Sequence, residues 1–497
     1  MLPCIAVIDI GSNSARLVIY QESSQYGFHL ICERKSKVRI GEGAYESKGH
    51  LQPIGINRAY LALKDFINTT KHYPVSKILC VATSALRDAP NGLEFTQWIK
   101  KELNLDIEII DGKKEALFGS IAALNLLPIK NGVTIDIGGG SSDISLIQDS
   151  KIIDTFSLNL GTVRVKELFF DKNKSLDEAR AFIQKEIIKL PTHFKGKQAI
   201  GIGGTARTLS KGIMKLKSYP LDNIHAFSYQ IEEYQEYFEN IAEAKPKLLQ
   251  YLFLPKGRFD TIREGTLIWQ EILRQIEAKK VITSGVGVRE GVFLHDFLKN
   301  DNLQFPKHIN PSIQSMLDRF GEQHVKVEKR EKSCQKLFKL FRESENIEKK
   351  YLNELLNAIH LSSIGYRLNI YKSFEHTFYM TMQEFNYGIT HKELLLTATL
   401  LRFGGKELYK KEIYQRYKEL LPKKDTLKYL SFIYTIITTL FDQTAIKDFD
   451  FELEGDVLVI SAKGSLYLAE EKLKEIERPN GLELKIIDKK KIPKYNF

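Results

Sequence analysis

Cysteine is scarce. The 497 residues hold four (Cys4, Cys32, Cys80 and Cys334), scattered with neither metal-ligand nor disulfide-framework spacing. Free buried thiols in a reducing cytoplasm are the simplest reading. No run of about eighteen uncharged apolar residues occurs, so no transmembrane helix and no membrane partner are expected. The opening Met1-Leu-Pro-Cys-Ile-Ala-Val-Ile-Asp9 enters a strand without the basic and apolar stretches of a signal peptide. A Cys/His finger, a helix-turn-helix cue and an RNA-binding aromatic signature are all missing. The net charge of +11 therefore suits a polyanion such as a nucleotide or polyphosphate without arguing for specific DNA or RNA. Its plain alternative is a lysine-rich surface. Hydrophobic content of 43% and charged content of 27% are those of an ordinary globular protein with room for three or four domains.

What is present is a repeat. Ile8-Asp9-Ile10-Gly11 is followed by Ser12, Asn13 and Ser14, and the same tetrapeptide recurs 127 residues later in Gly132-Val-Thr-Ile-Asp-Ile-Gly-Gly-Gly-Ser-Ser-Asp143. In each copy an apolar run ends in Asp, then a small-residue turn, then a second apolar run (15–20 and 144–148), which reads as a β-hairpin. A Gly/Ser turn lets backbone N–H groups and hydroxyls approach an anion, so a paired phosphate cradle is expected. The Asp before each turn would repel phosphate; it suits a metal ion or an ordered water. Neither loop is a P-loop or a dinucleotide fingerprint, because the GK[ST] ending and the following helix are absent.

The flanking pattern repeats as well. Strands are expected over 5–10, 15–20, 28–35, 77–82 and 106–110, with helices over 51–72, 92–103 and 113–127. The second copy has strands over 133–137, 144–148, 151–158, 198–202 and 279–283. Its helices fall near 175–190, after Gly203-Gly204-Thr205, and over 289–298, with an irregular helix-rich insertion at about 214–275. Two βββαβαβα lobes then face each other across a cleft, over residues 1–128 and 129–303. A helical stretch at 304–446 follows, and 447–497 closes as β-α-β, with a strand over 449–461, a helix over 466–477 and a strand over 482–487. Lys489-Lys490-Lys491 is a solvated basic end.

Beyond the hairpins stand Val81-Ala-Thr-Ser-Ala-Leu-Arg-Asp-Ala-Pro-Asn91, Gly112-Lys-Lys-Glu-Ala116, Gly203-Gly-Thr205 and Ser284-Gly-Val-Gly-Val-Arg-Glu-Gly291. In this order, over roughly 5–295, the set resembles the exopolyphosphatase / guanosine pentaphosphate phosphatase (Ppx/GppA) family of the sugar kinase–Hsc70–actin superfamily. The resemblance implies an α/β fold of two actin-like, ribonuclease H-like lobes, followed by a helical HD-like domain and a small C-terminal α/β domain. It also implies hydrolysis of a terminal phosphoanhydride, in inorganic polyphosphate or in guanosine pentaphosphate going to the tetraphosphate. Glu115 takes the place of the catalytic base. It opens a helix after a strand end facing the cleft, where a carboxylate can activate water for in-line attack; the plain alternative is a Glu that merely favours the helix dipole.

Further roles follow from the same resemblance. Asp136 and Asp143, with Asp9, would place Mg²⁺ or another divalent cation and its water. Gly11, Ser12, Asn13, Ser14, Gly138, Gly139, Gly140 and Ser141 would hold phosphate oxygens. Arg87, read as the end of a strand, would fork a phosphate, with Arg16, Arg39 and Arg207 as weaker candidates. Gly204 and Thr205 would serve a nucleoside or a further phosphate. The chain departs from the pattern at Lys114, where an acid is usual, and at Asp143, where Glu is usual. In 358–365, Ser362-Ser363 stand where an HD-type doublet would be, with His360 and His376 nearby, so this domain reads as a scaffold or dimer contact. A homodimer is what resemblance to long family members implies. A kinase on the same fold and a non-catalytic (p)ppGpp-binding regulator are the rival readings.

Overall fold

The structure, a computed structural model, describes residues 2–44, 47–321, 327–403, 407–446 and 448–488, and divides into compact units at residues 1–311 and 312–497. The run Lys489–Lys491 lies outside the described residues. No described helix is long and apolar enough to cross a membrane.

The first unit is built on two sheets of the same plan. The first takes β1 (Cys4–Ile10), β2 (Ala15–Glu22), β3 (Phe28–Ser36), β4 (Val75–Ala82) and β5 (Glu108–Ile109) in the order β3-β2-β1-β4-β5. Its helices are α1 (Pro53–Thr70), a single turn α2 (Ser84–Arg87), α3 (Gly92–Leu103) and α4 (Gly112–Leu126). The second has β6 (Gly132–Ile137), β7 (Ser142–Gln148), β8 (Lys151–Leu158), the turn α5 (Thr162–Val165), α6 (Leu176–Ile187), β9 (Gln198–Ile202), α7 (Gly203–Leu216), β10 (Ser228–Gln230), α8 (Gln235–Glu243), α9 (Ile262–Gln275), β11 (Lys280–Thr283) and α10 (Val288–Phe297). Its order, β8-β7-β6-β9-β11 with β10 at the edge, repeats the first sheet strand for strand. In each, a meander of antiparallel strands supplies the hairpin, and parallel strands with crossover helices complete the sheet.

Local chemistry explains the elements. β1 and β6 are near-continuous apolar runs, as strands covered on both faces must be. Proline stands at the first position of α1, where its missing N–H costs nothing. Ser175 and Glu178 form a reciprocal capping box at α6. The Asp111 carboxylate accepts from the Lys114 N–H at 2.7 Å and starts α4. α4 has no polar stripe, and Ala116, Phe118, Gly119, Ser120, Ile121, Ala122, Ala123 and Leu126 are all buried. It is a core helix, wedged between β7–β8 on one side and α10 on the other. Gly291 of α10 is the point of closest approach: a Cβ there would overlap the Phe118 carbonyl of α4. Tyr20 of β2 closes the other side, donating to Glu290 at 2.9 Å while Glu290 accepts the Gly287 N–H at 2.7 Å.

The 312–497 unit holds α11 (Pro311–Phe320, begun one residue earlier), α12 (Val327–Glu345), α13 (Leu352–Leu361), α14 (Ser373–Glu384), α15 (His391–Arg402), α16 (Lys411–Tyr417), α17 (Lys424–Gln443), β12 (Asp450–Glu454), β13 (Val457–Ala462), α18 (Tyr467–Lys474) and β14 (Glu483–Asp488). Three expectations are corrected. The strand expected over 449–461 is a hairpin, because Gly455 at φ +61 turns the chain between β12 and β13. The 214–275 insertion contains a strand, β10, paired antiparallel to β11. Arg87 lies in the helical turn α2, not at a strand end, since β4 stops at Ala82.

Replacing Gly291 by Ala should lower the urea midpoint by an amount worth about 1–3 kcal/mol, with the slope of the transition unchanged. Gly257→Ala, with open space around it, should leave the midpoint close to wild type.

Candidate active site

The two hairpin turns have the same internal bond. Gly11 N–H donates to the Ser14 carbonyl at 3.1 Å, and Gly138 N–H to the Ser141 carbonyl at 2.9 Å. Each turn is then anchored from the loop after its third strand: Arg39 N–H donates to the Asn13 carbonyl (3.1 Å), and Thr162 and Val163 N–H groups to the Gly138 and Gly139 carbonyls (3.0 and 2.9 Å). The carbonyls are thus tied back. Among the described residues no backbone carbonyl takes the N–H of Ser12, Asn13, Gly139 or Gly140. The turns face one another, since a Cβ on Gly139 would lie 4.0 Å from that of Ser12. The Ser12 and Ser84 hydroxyls meet at 3.3 Å between them. The two turns and the start of α2 thus bring together two hydroxyls and backbone N–H groups without a carbonyl partner, a set suited to an anion.

Glu115 lies beside it. Arg87 Nη1 donates to its Oε2 at 3.3 Å and to the Ile110 carbonyl at 3.1 Å. Burial pushes the Glu115 carboxyl well above the ordinary carboxylate range; the Asp143 charge adds to that, Arg87 opposes it, and Asp136 and Asp9 add more weakly. Asp143 is pushed up to about 7, by burial first; the Ser157 hydroxyl lowers it, Asp136 raises it, and Arg87 and Ser141 lower it. Asp9 is pushed up to about 6 by burial, against Arg289 and Arg16, its cross-strand neighbour. Asp136 is raised by burial and lowered by Arg207. Its Oδ1 occupies the place of a Cβ at Gly203, which stands at φ +75 at the start of α7, so that position requires glycine. The four carboxylates lie near one another, and Arg87, Arg289, Arg16 and Arg207 oppose their charge.

This donor set fits a divalent cation. Hard oxygen donors held against mutual repulsion are relieved by one, and Mg²⁺ is ordinarily held by one or two carboxylates together with water and substrate phosphate. Among the described residues no group of three or more His, Cys, Asp or Glu side chains is arranged to hold a metal ion by itself.

Of the remaining expected residues, Thr205 sits in the first turn of α7, packed against Gly265. Gly204 lies under the guanidinium of Arg258, whose Cζ is 2.7 Å from where a Cβ would stand. Arg16 pairs with Glu33 at 3.2 Å. Arg39 serves the first turn through its backbone N–H. Arg207 is close to Asp136, and its Nε is buried without a protein partner among the described residues.

Ser157 was not singled out from sequence, yet it ties the site together. Its hydroxyl donates to Asp143 Oδ1 at 2.6 Å and fills the space a Cβ would need at Gly112, the first residue of α4. Ser145 adds a second tie, donating to the Ala116 carbonyl at 3.0 Å. Hairpin register was the available signal: Ser157 is the direct cross-strand partner of Asp143. Arg258 offered none, because it comes from the irregular insertion. In the 312–497 unit, Ser362 accepts from Arg330 at 3.3 Å, Arg330 pairs with Asp442 at 2.7 Å, and His360 pairs with Glu331. A guanidinium–carboxylate pair stands beside the Ser362 position; Ser363 is buried and His376 lies on α14.

Residues 18–300 match the Ppx/GppA phosphatase family. Among curated proteins, a bifunctional 3-dehydroquinate synthase/phosphatase of Fusobacterium nucleatum is 30% identical over 300 residues, 56% of this chain and 44% of that protein. Exopolyphosphatase 2 of Mycobacterium tuberculosis is 24% identical over 293 residues, 55% of this chain and 91% of that protein. The crystal structure of the Aquifex aeolicus member of the Ppx/GppA family superposes with a TM-score of 0.53 at 27% identity, over 61% of this chain and 99% of that one. The chain thus spans less than half of the Fusobacterium protein, and its second unit lies beyond the matched family region.

A carboxyl whose folded pKa lies above its unfolded value stabilises the fold at low pH, and that stability is lost as pH rises through the folded value. For Asp143 the window runs from its ordinary 3.8 to about 7. In chelator, the wild-type melting temperature should therefore fall between pH 5 and pH 8. Asp143→Asn should fall less over the same interval, checked by differential scanning calorimetry.

Proposed function

The chain belongs to the Ppx/GppA phosphatase family, and from that premise we propose that its cleft hydrolyses the terminal phosphoanhydride of inorganic polyphosphate and of guanosine pentaphosphate. The carrying observation is Glu115, a half-buried carboxylate held by Arg87, whose helical turn also brings the Ser84 hydroxyl to Ser12 of the first turn. In this reading the terminal phosphate lies between the two turns. Backbone N–H groups of Ser12, Asn13, Gly139 and Gly140 donate to its oxygens, and the Ser12 and Ser84 hydroxyls donate to them as well. Arg87 bridges from Glu115 toward the same group, holding phosphate and base in one geometry.

Glu115 takes the proton from a water poised in line with the bridging oxygen. The water oxygen bonds to the terminal phosphorus as the phosphoanhydride bond breaks, releasing inorganic phosphate and a chain one phosphate shorter. Burial and the neighbouring Asp143 charge raise its proton affinity, which strengthens it as an acceptor of the water proton. A divalent cation such as Mg²⁺, held by Asp136 and Asp143 with Asp9 behind them, would supply the remaining neutralisation of phosphate charge. Ser157 fixes the Asp143 carboxylate for that task. Four free buried cysteines accord with a reducing cytoplasm as the place of work.

Glu115→Gln should lower kcat for phosphate release by about 10²–10⁴-fold, while affinity for polyphosphate changes little. Phosphate release measured with Mg²⁺ present, on polyphosphate and guanosine pentaphosphate, checks it. A wild type that releases none, or a variant as fast as wild type, overturns the proposal.

A further inference from the structure

At the edge opposite its turn, the second sheet ends in lysines. Strands β6, β8, β9 and β11 begin there and β7 stops there. Lys279 and Lys280 stand at the start of β11, Lys195 and Lys197 just ahead of β9, Lys130 ahead of β6 and Lys151 at the start of β8. The row crosses four strand spacings, about 19 Å. All of these lysines except Lys280 are exposed. Of the acids here, Glu277 is taken by Lys195, Glu233 by Lys217 and Asp154 by His193, which leaves Asp149 and Glu232. Among the described residues the five lysines other than Lys195 form no ion pair, so unneutralised positive charge accumulates along this edge.

The middle of the row is concave. A cavity of about 570 Å³ opens among residues 128–132, 146–149 and 195–198, and Lys130, Lys195 and Lys197 line it. That is the size of a small-molecule site. Its walls are tied by backbone bonds. The Lys130 carbonyl accepts the Ser150 N–H at 2.8 Å, and Gly196 N–H donates to the Ile276 carbonyl at 2.9 Å. The Asn131 side-chain oxygen accepts the Asp149 N–H at 2.8 Å. The Lys197 carbonyl accepts two N–H groups, from Lys279 at 2.8 Å and Lys280 at 3.1 Å. Carbonyls are thus engaged, while among the described residues no backbone carbonyl takes the N–H of Lys130, Asn131 or Lys197. A concavity with one sign of charge concentrates its field on an anion. None of the lining residues is aromatic, so a nucleobase finds nothing to stack on. Lysine, a compact point charge with three donors, suits phosphate oxygens.

We propose that this cavity is an anion site remote from the reaction, which takes a short phosphate chain, either free or as the triphosphate of a nucleotide. The Lys130, Lys195 and Lys197 ammonium groups hold its oxygens, and the chain is recognised without its base. The site lies the length of β6 away from the second turn, about 20 Å, and stands whether or not Glu115 is the base of the cleft. Residues 128–131, on its wall, belong to the segment joining α4, which carries Glu115, to β6, which carries Asp136.

Lysine acetylation read by mass spectrometry locates the site directly, on the full chain carrying Glu115→Gln and in chelator, so that no probe is consumed. Tripolyphosphate at about ten times its dissociation constant should slow acetylation of Lys130 and Lys197 about tenfold. Lys64 of α1, also exposed, should react as before. Equal protection by ATP supports the site and shows that a nucleotide can supply the chain; protection by tripolyphosphate alone supports it and assigns the free anion. Protection by ATP alone, by neither probe, or of Lys64 to the same extent overturns it. So does protection by a single-stranded oligonucleotide where tripolyphosphate gives none, which would make the edge a nucleic-acid surface. Calorimetry with tripolyphosphate on the same background supplies the second test. Lys130→Gln with Lys197→Gln, both at exposed positions, should remove one binding event per chain whether or not the cleft supplies another. The paired Lys→Arg variants should retain it. An unchanged number of events in the glutamine variant overturns the site and leaves the reading of the cleft untouched.

Discussion

Everything in the first unit answers to one electrostatic problem, the confinement of Asp9, Asp136, Asp143 and Glu115 within each other's field. Carboxylates out of water repel, and Asp9, Asp143 and Glu115 protonate more readily for having others of the set near. Three partial remedies are built in: Arg87 on Glu115, Arg207 near Asp136, and Arg289 with Arg16 near Asp9.

Holding those acids in register falls to small residues. Glycine at 112 leaves room for the Ser157 hydroxyl, which reaches Asp143 across the β7–β8 pair. Glycine at 203 lets Asp136 press against the start of α7, and glycine at 204 lets Arg258 lie on bare backbone. Glu115 and Asp143 are therefore mounted on elements that meet through a single serine hydroxyl at Gly112, an arrangement that preserves geometry at the cost of tolerating no enlargement.

Much of this was legible beforehand because it depends on local pattern. The repeated Asp-Ile-Gly turns declared the two sheets, and the apolar runs on either side set most of the strands. Asp9, Asp136, Asp143 and Glu115 could be named since each lies at a strand end or a helix start. What escaped notice depends on packing between distant segments. Ser157 matters only once β8 is paired with β7, and Arg258 only once an insertion without clear periodicity folds back over Gly204. Arg87 was expected at the end of a strand, but the strand stops at Ala82 and a helical turn carries the guanidinium onward. The β12–β13 hairpin was missed because its apolar runs hid the turn at Gly455.

The close approach of Gly291 to the Phe118 carbonyl constrains how α10 can sit on α4. Two helices that meet backbone to backbone cannot glide past each other, since displacement along the seam by even an ångström or two brings side chains into the gap. Sliding is closed to this pair, which leaves rotation about the α4–α10 crossing as the displacement that keeps the contact.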